Sequence, residues 1–172
     1  SGSCCENGSL NLMRVTAVIP NWNGGARLRR MLESVTQQEG MKFERVLIID
    51  NDSSDGPEQV ARELDVELMR LDRNYGFAIA VNQGILQCQT PWVAILNNDI
   101  VLSPDWLLRM SDVESKSDYL GGKLLQQSRP SRIDGGFDLI SRSGLAWRAG
   151  HNQPDGPQWN QPRSVCIIPL TC

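Results

Sequence analysis

The 172-residue chain is 40% hydrophobic and 22% charged, which fits one compact domain with its own core and excludes a disordered or fibrous segment. Its formal charge of -3 offers no overall basic field for nucleic acid or an anionic membrane. No apolar run reaches the ~20 residues that span a bilayer, and the start lacks a secretory signal. The five cysteines, with His151 as the single histidine, form no zinc pattern. The expectation is a cytoplasmic protein with reduced thiols, at most peripheral to the inner face of the membrane.

Residues 1–13 carry no periodic pattern and read as a disordered or cloning-derived leader. From Arg14 onward, short β-rich runs alternate with amphipathic stretches, the signature of an α/β fold with a mostly parallel sheet. A first strand, Val15 to Ile19, should end at Pro20, which cannot donate to a central ladder. After the loop Asn21-Trp22-Asn23-Gly24-Gly25, residues Leu28, Met31, Leu32 and Val35 recur at helical spacing. Arg27, Arg29 and Arg30 lie off that face and read as solvated surface.

A second strand, Arg45 to Ile49, runs into Asp50-Asn51-Asp52-Ser53-Ser54-Asp55-Gly56-Pro57. Asp55 with Glu58 forms a capping-box pattern, and Pro57 suits the first turn of a helix through Val60, Ala61 and Leu64. A third strand over 66–71 leads through Asn74-Tyr75-Gly76-Phe77 into a helix whose face is Phe77, Ala80, Val81 and Ile85, with Asn82 off it. The fourth strand, Trp92 to Leu96, ends in Asn97-Asn98-Asp99. Ser103 and Pro104 then predict the N-cap and first turn of a helix through Trp106, Leu107 and Met110.

Any one of these Asn/Asp-rich loops is a turn by default. Three at successive strand ends point to a shared site, because open parallel sheets bind ligands beyond the carboxyl ends of their strands. The glycine-rich dinucleotide and P-loop fingerprints are absent. Amides can read a base or ribose, and one carboxylate can hold Mg²⁺ when a diphosphate supplies further oxygens. A metal-bound nucleoside diphosphate is the natural ligand.

Four segments, "VTAVIPNWNG", "VLIIDNDSSDG", "NYGFAIAVNQGI" and "VAILNNDIVLSPDWL", resemble in type and order the family 2 glycosyltransferases with the GT-A fold, in particular bacterial rhamnosyltransferase-like members. The resemblance covers residues 14–110 closely, and "IDGGFDLISRSGLAWRAGH" more loosely. It implies a nucleotide-sugar-binding GT-A domain over 14–125, a Rossmann-like, mostly parallel sheet flanked by helices. Residues 126–172 would be a connecting or hairpin region and the start of an incomplete acceptor half. Pro20, Asn21 and Asn23 would line the nucleotide pocket, with Asp50 or Asn51 reading base and ribose. Asn74, Gly76, Phe77 and Asn82 would lie close to the nucleotide-sugar.

Asn97-Asn98-Asp99 stands where the family places its D-x-D metal motif. Asn97 replaces the first carboxylate, which leaves Asp99 as the ligand of Mg²⁺ or Mn²⁺ and Asn98 as a contact to ribose or sugar. The implied activity is inverting transfer of a sugar from a UDP- or dTDP-linked donor to a hydroxyl-bearing glycan acceptor, in cell-surface polysaccharide synthesis. The family's general base comes from the second half of its fold, and no residue here matches it. After Leu120 the acids are Asp134, Asp138 and Asp155; the first two read as hairpin residues beside Gly135-Gly136, and His151 as structural or exposed. The alternative is a noncatalytic nucleotide-binding module completed by another chain. A nucleotidyltransferase is disfavoured, since "NWNGG" lacks the basic glycine-rich loop. Unpaired sheet edge also predicts a homodimer or an exchange of C-terminal segments.

Overall fold

The computed structural model describes residues 13–113 and 117–165. Cys4, Cys5, Cys166, Cys172 and most of the strand start expected over 163–168 lie outside the described residues. Four strands, β1 (Val15–Asn21), β2 (Arg45–Asp50), β3 (Glu67–Arg70) and β4 (Trp92–Ile95), form one parallel sheet. Their order is β3-β2-β1-β4. The succession of strands therefore changes direction between β1 and β4, the position where such sheets open a crevice.

Every residue of β1 is buried, as a strand covered on both faces requires. On one face Ala17 and Ile19 pack against Leu28, Met31, Leu32 and Val35 of α1 (Ala26–Thr36) and against Val60 and Ala61 of α2 (Pro57–Glu63). On the other, Val18, Leu47 and Ile49 pack against Ala80 of α3 (Phe77–Leu86).

Pro20 does not end β1 but stays in it, paired with Ile49. The main-chain oxygens of Val15 and Asn21 accept bonds from the β2 side, whereas that of Val18 accepts from Leu96 on the β4 side. By the two-residue alternation of a strand, the missing Pro20 N–H faces β4. The proline thus costs the β2 ladder nothing and halts the β4 ladder at the mouth of the crevice.

The buried face of α3 also differs from expectation. Ala80, Val81 and Gly84 are buried, whereas Phe77 and Ile85 are 40% and 41% exposed. A Cβ at Gly84 would lie 2.3 Å from Val18 Cγ1 and 3.1 Å from Ile49 Cγ1, so the helix approaches the sheet through its glycine. Gly84→Ala gains about 1 kcal/mol of helix propensity but overpacks a site whose β-branched neighbour, Val18, is fully buried. The expected result is a net loss of about 1–2 kcal/mol, read from the denaturant midpoint. A gain in stability would disprove the close approach.

The helix α4 (Trp106–Ser111) starts three residues after the predicted cap at Ser103, and no side-chain cap bond comes from its own segment. The fully buried Gln38 serves instead. Its Oε1 accepts from Leu107 N at 2.9 Å while its Nε2 donates to the oxygens of Ser103 and Ser34. A partner distant in sequence satisfies the orphan donor that a local cap ordinarily takes.

Beyond the sheet, β5 (Leu124–Gln126) pairs antiparallel with β6 (Arg129–Gly135), and β7 (Phe137–Ile140) with β8 (Ala146–Ala149). Asp134 and Asp138 flank the Gly135-Gly136 pair, and Arg148 faces both, at 3.2 and 3.8 Å. His151 is exposed, its Nδ1 2.9 Å from the Asp134 main-chain oxygen. No described helix is long and apolar enough to cross a membrane. Cys88, a free thiol, has its pKa raised by burial.

Candidate functional site

The carboxyl ends of β1, β2 and β4 converge on one buried polar network. Asn21 is 1% exposed and Asp50 0%. Asn21 Nδ2 donates to Asp50 Oδ1 at 2.8 Å and to Ser53 Oγ at 3.2 Å. Ser53 closes the turn, donating its N–H to Asp50 Oδ2 and its hydroxyl to Asp50 Oδ1. Across the crevice, Asn98 Nδ2 donates to Asn21 Oδ1 at 2.8 Å. Asn98 therefore ties β4's loop to the end of β1 at the point where the ladder between them stops. Gly24 makes that contact possible, because a Cβ there would lie 2.4 Å from Asn21 Oδ1 and 2.9 Å from Asn98 Nδ2.

A more exposed layer lies over this network. Asn23, at φ 50°, donates its N–H to Ser53 Oγ and accepts from Ser54 N. Asn51, buried, accepts from Tyr75 N at 3.3 Å, and Asn74 Oδ1 accepts from Gly76 N at 2.8 Å in a local turn. The left-handed φ of 83° at Gly76 favours glycine. Pro20 is buried beneath this layer. Asn97 and Asn98 are half-buried, and Asn23, Asn74, Gly76, Phe77, Asn82 and Asp99 are exposed.

The predicted capping box does not form. Gly56, left-handed at φ 73°, stands at the N-cap of α2 with no side-chain cap bond. Asp55 instead accepts from Gly25 N at 2.7 Å, at the start of α1, where a carboxylate suits the helix dipole. Glu58 pairs with Arg70, the last residue of β3. Pro57 does occupy the first turn.

Arg70, which the sequence reading passed over, clamps the acidic loop from outside. Its guanidinium reaches Asp52 at 2.8 Å, Glu58 at 2.5 Å and the Ser53 main-chain oxygen at 2.7 Å, and lies 3.9 Å from the buried Asp50 carboxylate. An arginine closing a strand beside an acidic loop was its available signal; for Ser53 it was the three-residue step from Asp50. The Glu58 pKa is lowered, first by its backbone hydrogen bond and then by Arg70. A lowered carboxylate contributes above its unfolded value and loses that contribution as pH falls through its folded value. In Arg70→Met the Glu58 carboxyl should titrate closer to the ordinary range by NMR. Stability should change little, since the pair is solvent-screened. An unmoved Glu58 midpoint would remove Arg70 from this role.

Among the described residues, no group of three His, Cys, Asp or Glu gathers as a metal cage. Asp99, exposed, follows the bridging Asn98 in the β4 loop, while Asp52 is paired with Arg70 and Asp55 with Gly25 N. A single carboxylate is compatible in its chemistry with a hard cation that takes one protein carboxylate and fills its other positions from phosphate oxygens and water.

An open parallel α/β sheet with a polar shelf at its switch point defines a class of domains that bind ligands across strand ends. The family is set by comparison: the sequence model of Glycosyl transferase family 2 matches residues 16–126, well over half the chain. The chain belongs to this family. It is 36% identical over 137 residues to the succinoglycan biosynthesis protein ExoO of Rhizobium meliloti, covering 78% of this chain and 36% of that one. To the glycosyltransferase AglE of Haloferax volcanii it is 30% identical, covering 64% and 39%. Among solved structures, S. aureus TarS in complex with UDP-GlcNAc superposes with a TM-score of 0.56 at 17% identity, covering 77% of this chain and 42% of that one. The Pyrobaculum calidifontis mannosyltransferase PcManGT, in complex with GDP-Man and Mn²⁺, gives 0.51 at 22% identity, covering 65% and 34%. The fold is thus of the GT-A type, and the chain spans less than half the length of these relatives.

Proposed function

We propose that this chain binds a UDP- or dTDP-linked sugar with Mg²⁺ or Mn²⁺ across the ends of β1, β2 and β4, for inverting transfer to a hydroxyl of a cell-surface glycan. The observation that carries the reading is the Asn98–Asn21–Asp50 chain of hydrogen bonds, which joins both sides of the switch-point crevice beneath an exposed shelf. Residues 14–125 form the donor-binding unit in this reading and 126–172 the connecting region. The exposed Asn23, Asn74, Gly76, Phe77 and Asn82, with the half-buried Asn97 and Asn98, meet the nucleotide-sugar. Pro20, Asn21, Asp50 and Asn51, which are buried, hold that shelf in shape and present its edges to the base and ribose.

Asp99 would hold the cation. When bound, the cation supplies Lewis-acid stabilisation of the charge that grows on the leaving phosphate. The shelf supplies orientation, and its buried network keeps donors and acceptors from rearranging as the ligand enters. The acceptor hydroxyl needs a base within hydrogen-bond reach. Here a second reading has its own support: Asp134 and Asp138 face Arg148, and Asp155 is paired with Lys123. Carboxylates turned to these cations are not presented to an acceptor hydroxyl, which favours a donor-binding module whose transfer step uses a base from another segment or chain.

Calorimetry with UDP and dTDP, with and without Mg²⁺ or Mn²⁺, tests the donor site. Absence of binding by either nucleotide would refute it. Release of UDP or dTDP from a donor sugar only when a glycan acceptor is added would support transfer over the binding module.

A further inference from the structure

The chain's net negative charge conceals a segregation. Residues 123–163 contain six Lys or Arg against three Asp or Glu, so this segment is net positive while the rest carries the acidic excess. The three acids are all engaged, Asp134 and Asp138 by Arg148 and Asp155 by Lys123. Arg129, Arg132, Arg142 and Arg163 have no acid among the described residues to balance them.

Within this basic segment, the β7–β8 hairpin exposes an apolar tip. Leu139, Ile140, Leu145 and Trp147 are 40%, 57%, 69% and 51% exposed. Leu139 stands opposite Trp147, and Ile140 opposite Ala146. No acidic residue occurs from 139 to 147, and the only charge is Arg142, exposed in the turn. The turn is closed by its own bonds: Ser141 N donates to Leu145 O at 2.8 Å, Gly144 N to Ser141 O at 3.0 Å, and Leu145 N to Ser141 Oγ at 3.1 Å. Polar backbone already paired internally lowers the cost of moving a segment out of water.

We propose that the β7–β8 tip is a membrane-docking element that inserts Ile140 and Leu145 among the acyl chains of an anionic bilayer, with Trp147 at the interface and Arg142 meeting the lipid phosphates. Tryptophan suits the interfacial layer, where its ring is in an apolar setting and its N–H reaches polar groups. Arg142 in the turn and Arg163, whose guanidinium lies 5.6 Å from the centroid of the Phe137 ring at the base of the hairpin, supply attraction to acidic headgroups, which the net charge of the whole chain would not. A second copy is a poorer occupant, because self-pairing of this face sets one positive segment against another. The placement does not depend on the nucleotide reading.

Co-sedimentation of the full chain with phosphatidylcholine vesicles, with and without phosphatidylglycerol, tests it. The wild type should bind the phosphatidylglycerol vesicles preferentially and lose binding as salt is raised. The triple change Ile140→Ser, Leu145→Ser and Trp147→Ser should lower partitioning more than about tenfold. Arg142→Ala, in an exposed turn, should lower it about fivefold, and keeps the test decisive if the triple variant does not fold by circular dichroism. Failure to bind phosphatidylglycerol vesicles, or equal binding by Arg142→Ala, would overturn the proposal. So would self-association of the wild type in light scattering that the triple change abolishes, which would assign the face to a second copy.

Discussion

Asp50→Ala should be the most destabilising single change in the strand-end network, at roughly 3–4 kcal/mol. The side chain is 0% exposed and accepts from Asn21 Nδ2, Ser53 Oγ and Ser53 N. Truncation strips three donors of this acceptor in a buried loop, although Asn21 Nδ2 keeps Ser53 Oγ, and each unsatisfied group costs about 1–3 kcal/mol. Partial relaxation of the Ser53 hydroxyl, which can turn toward another acceptor, keeps the total below the simple sum. Against a whole-domain stability of about 5–15 kcal/mol, this is enough to shift a urea midpoint plainly. Nucleotide affinity should fall with it, because the same bonds fix the β2 loop that carries Asn51 and, through Ser53, holds Asn23. Asp50→Asn, which keeps the shape but surrenders an acceptor to a donor, should cost about 1–3 kcal/mol. A loss under about 0.5 kcal/mol for Asp50→Ala would equal that of an ordinary surface site and would show that the network does not hold the shelf.

Asp99→Ala should behave in the opposite way. The residue is exposed and stands outside the core clusters, so stability should change by less than about 0.5 kcal/mol. Calorimetry should show that Mg²⁺ or Mn²⁺ no longer strengthens UDP or dTDP binding, a loss of at least about tenfold, or about 1.4 kcal/mol. Asp99→Asn should lose the metal effect equally, since a neutral amide is a weak ligand for a hard cation. Undiminished metal dependence in both variants would assign the cation to other residues. Two carboxylates, at the ends of β2 and β4 on either side of β1, are thus expected to separate: one sets the shape of the site and the other carries charge to the ligand.

That separation was not readable in the string of residues. "IIDNDSSDG" and "LNNDI" mark strand ends equally well, and both place an Asp in a polar loop. Burial divides them, and burial depends on what arrives from elsewhere: Asn21 from β1, Arg70 from β3, and Gly24, whose missing Cβ lets Asn98 reach Asn21. Asp55 shows the same limit on a smaller scale. Its spacing to Glu58 is a capping box by local rules, yet Asp55 serves α1 and Glu58 serves β3. Local pattern identifies groups able to bond; geometry across the fold chooses the partner.

Periodicity did establish the alternation of strands and helices, the parallel sheet, the α1 face of Leu28, Met31, Leu32 and Val35, and the gathering of polar loops at one end of the sheet. These follow from near-neighbour physics, because hydrophobic spacing and turn chemistry act within a few residues. Three features waited on the folded chain. Pro20 stays inside β1 because its absent N–H faces the one side that needs none. The α3 face turns on Gly84 because Val18 lies directly beneath it. Gln38 caps α4 from 69 residues away. Each depends on a contact between segments distant in sequence, and such contacts exist only once the hydrophobic faces have closed on one another.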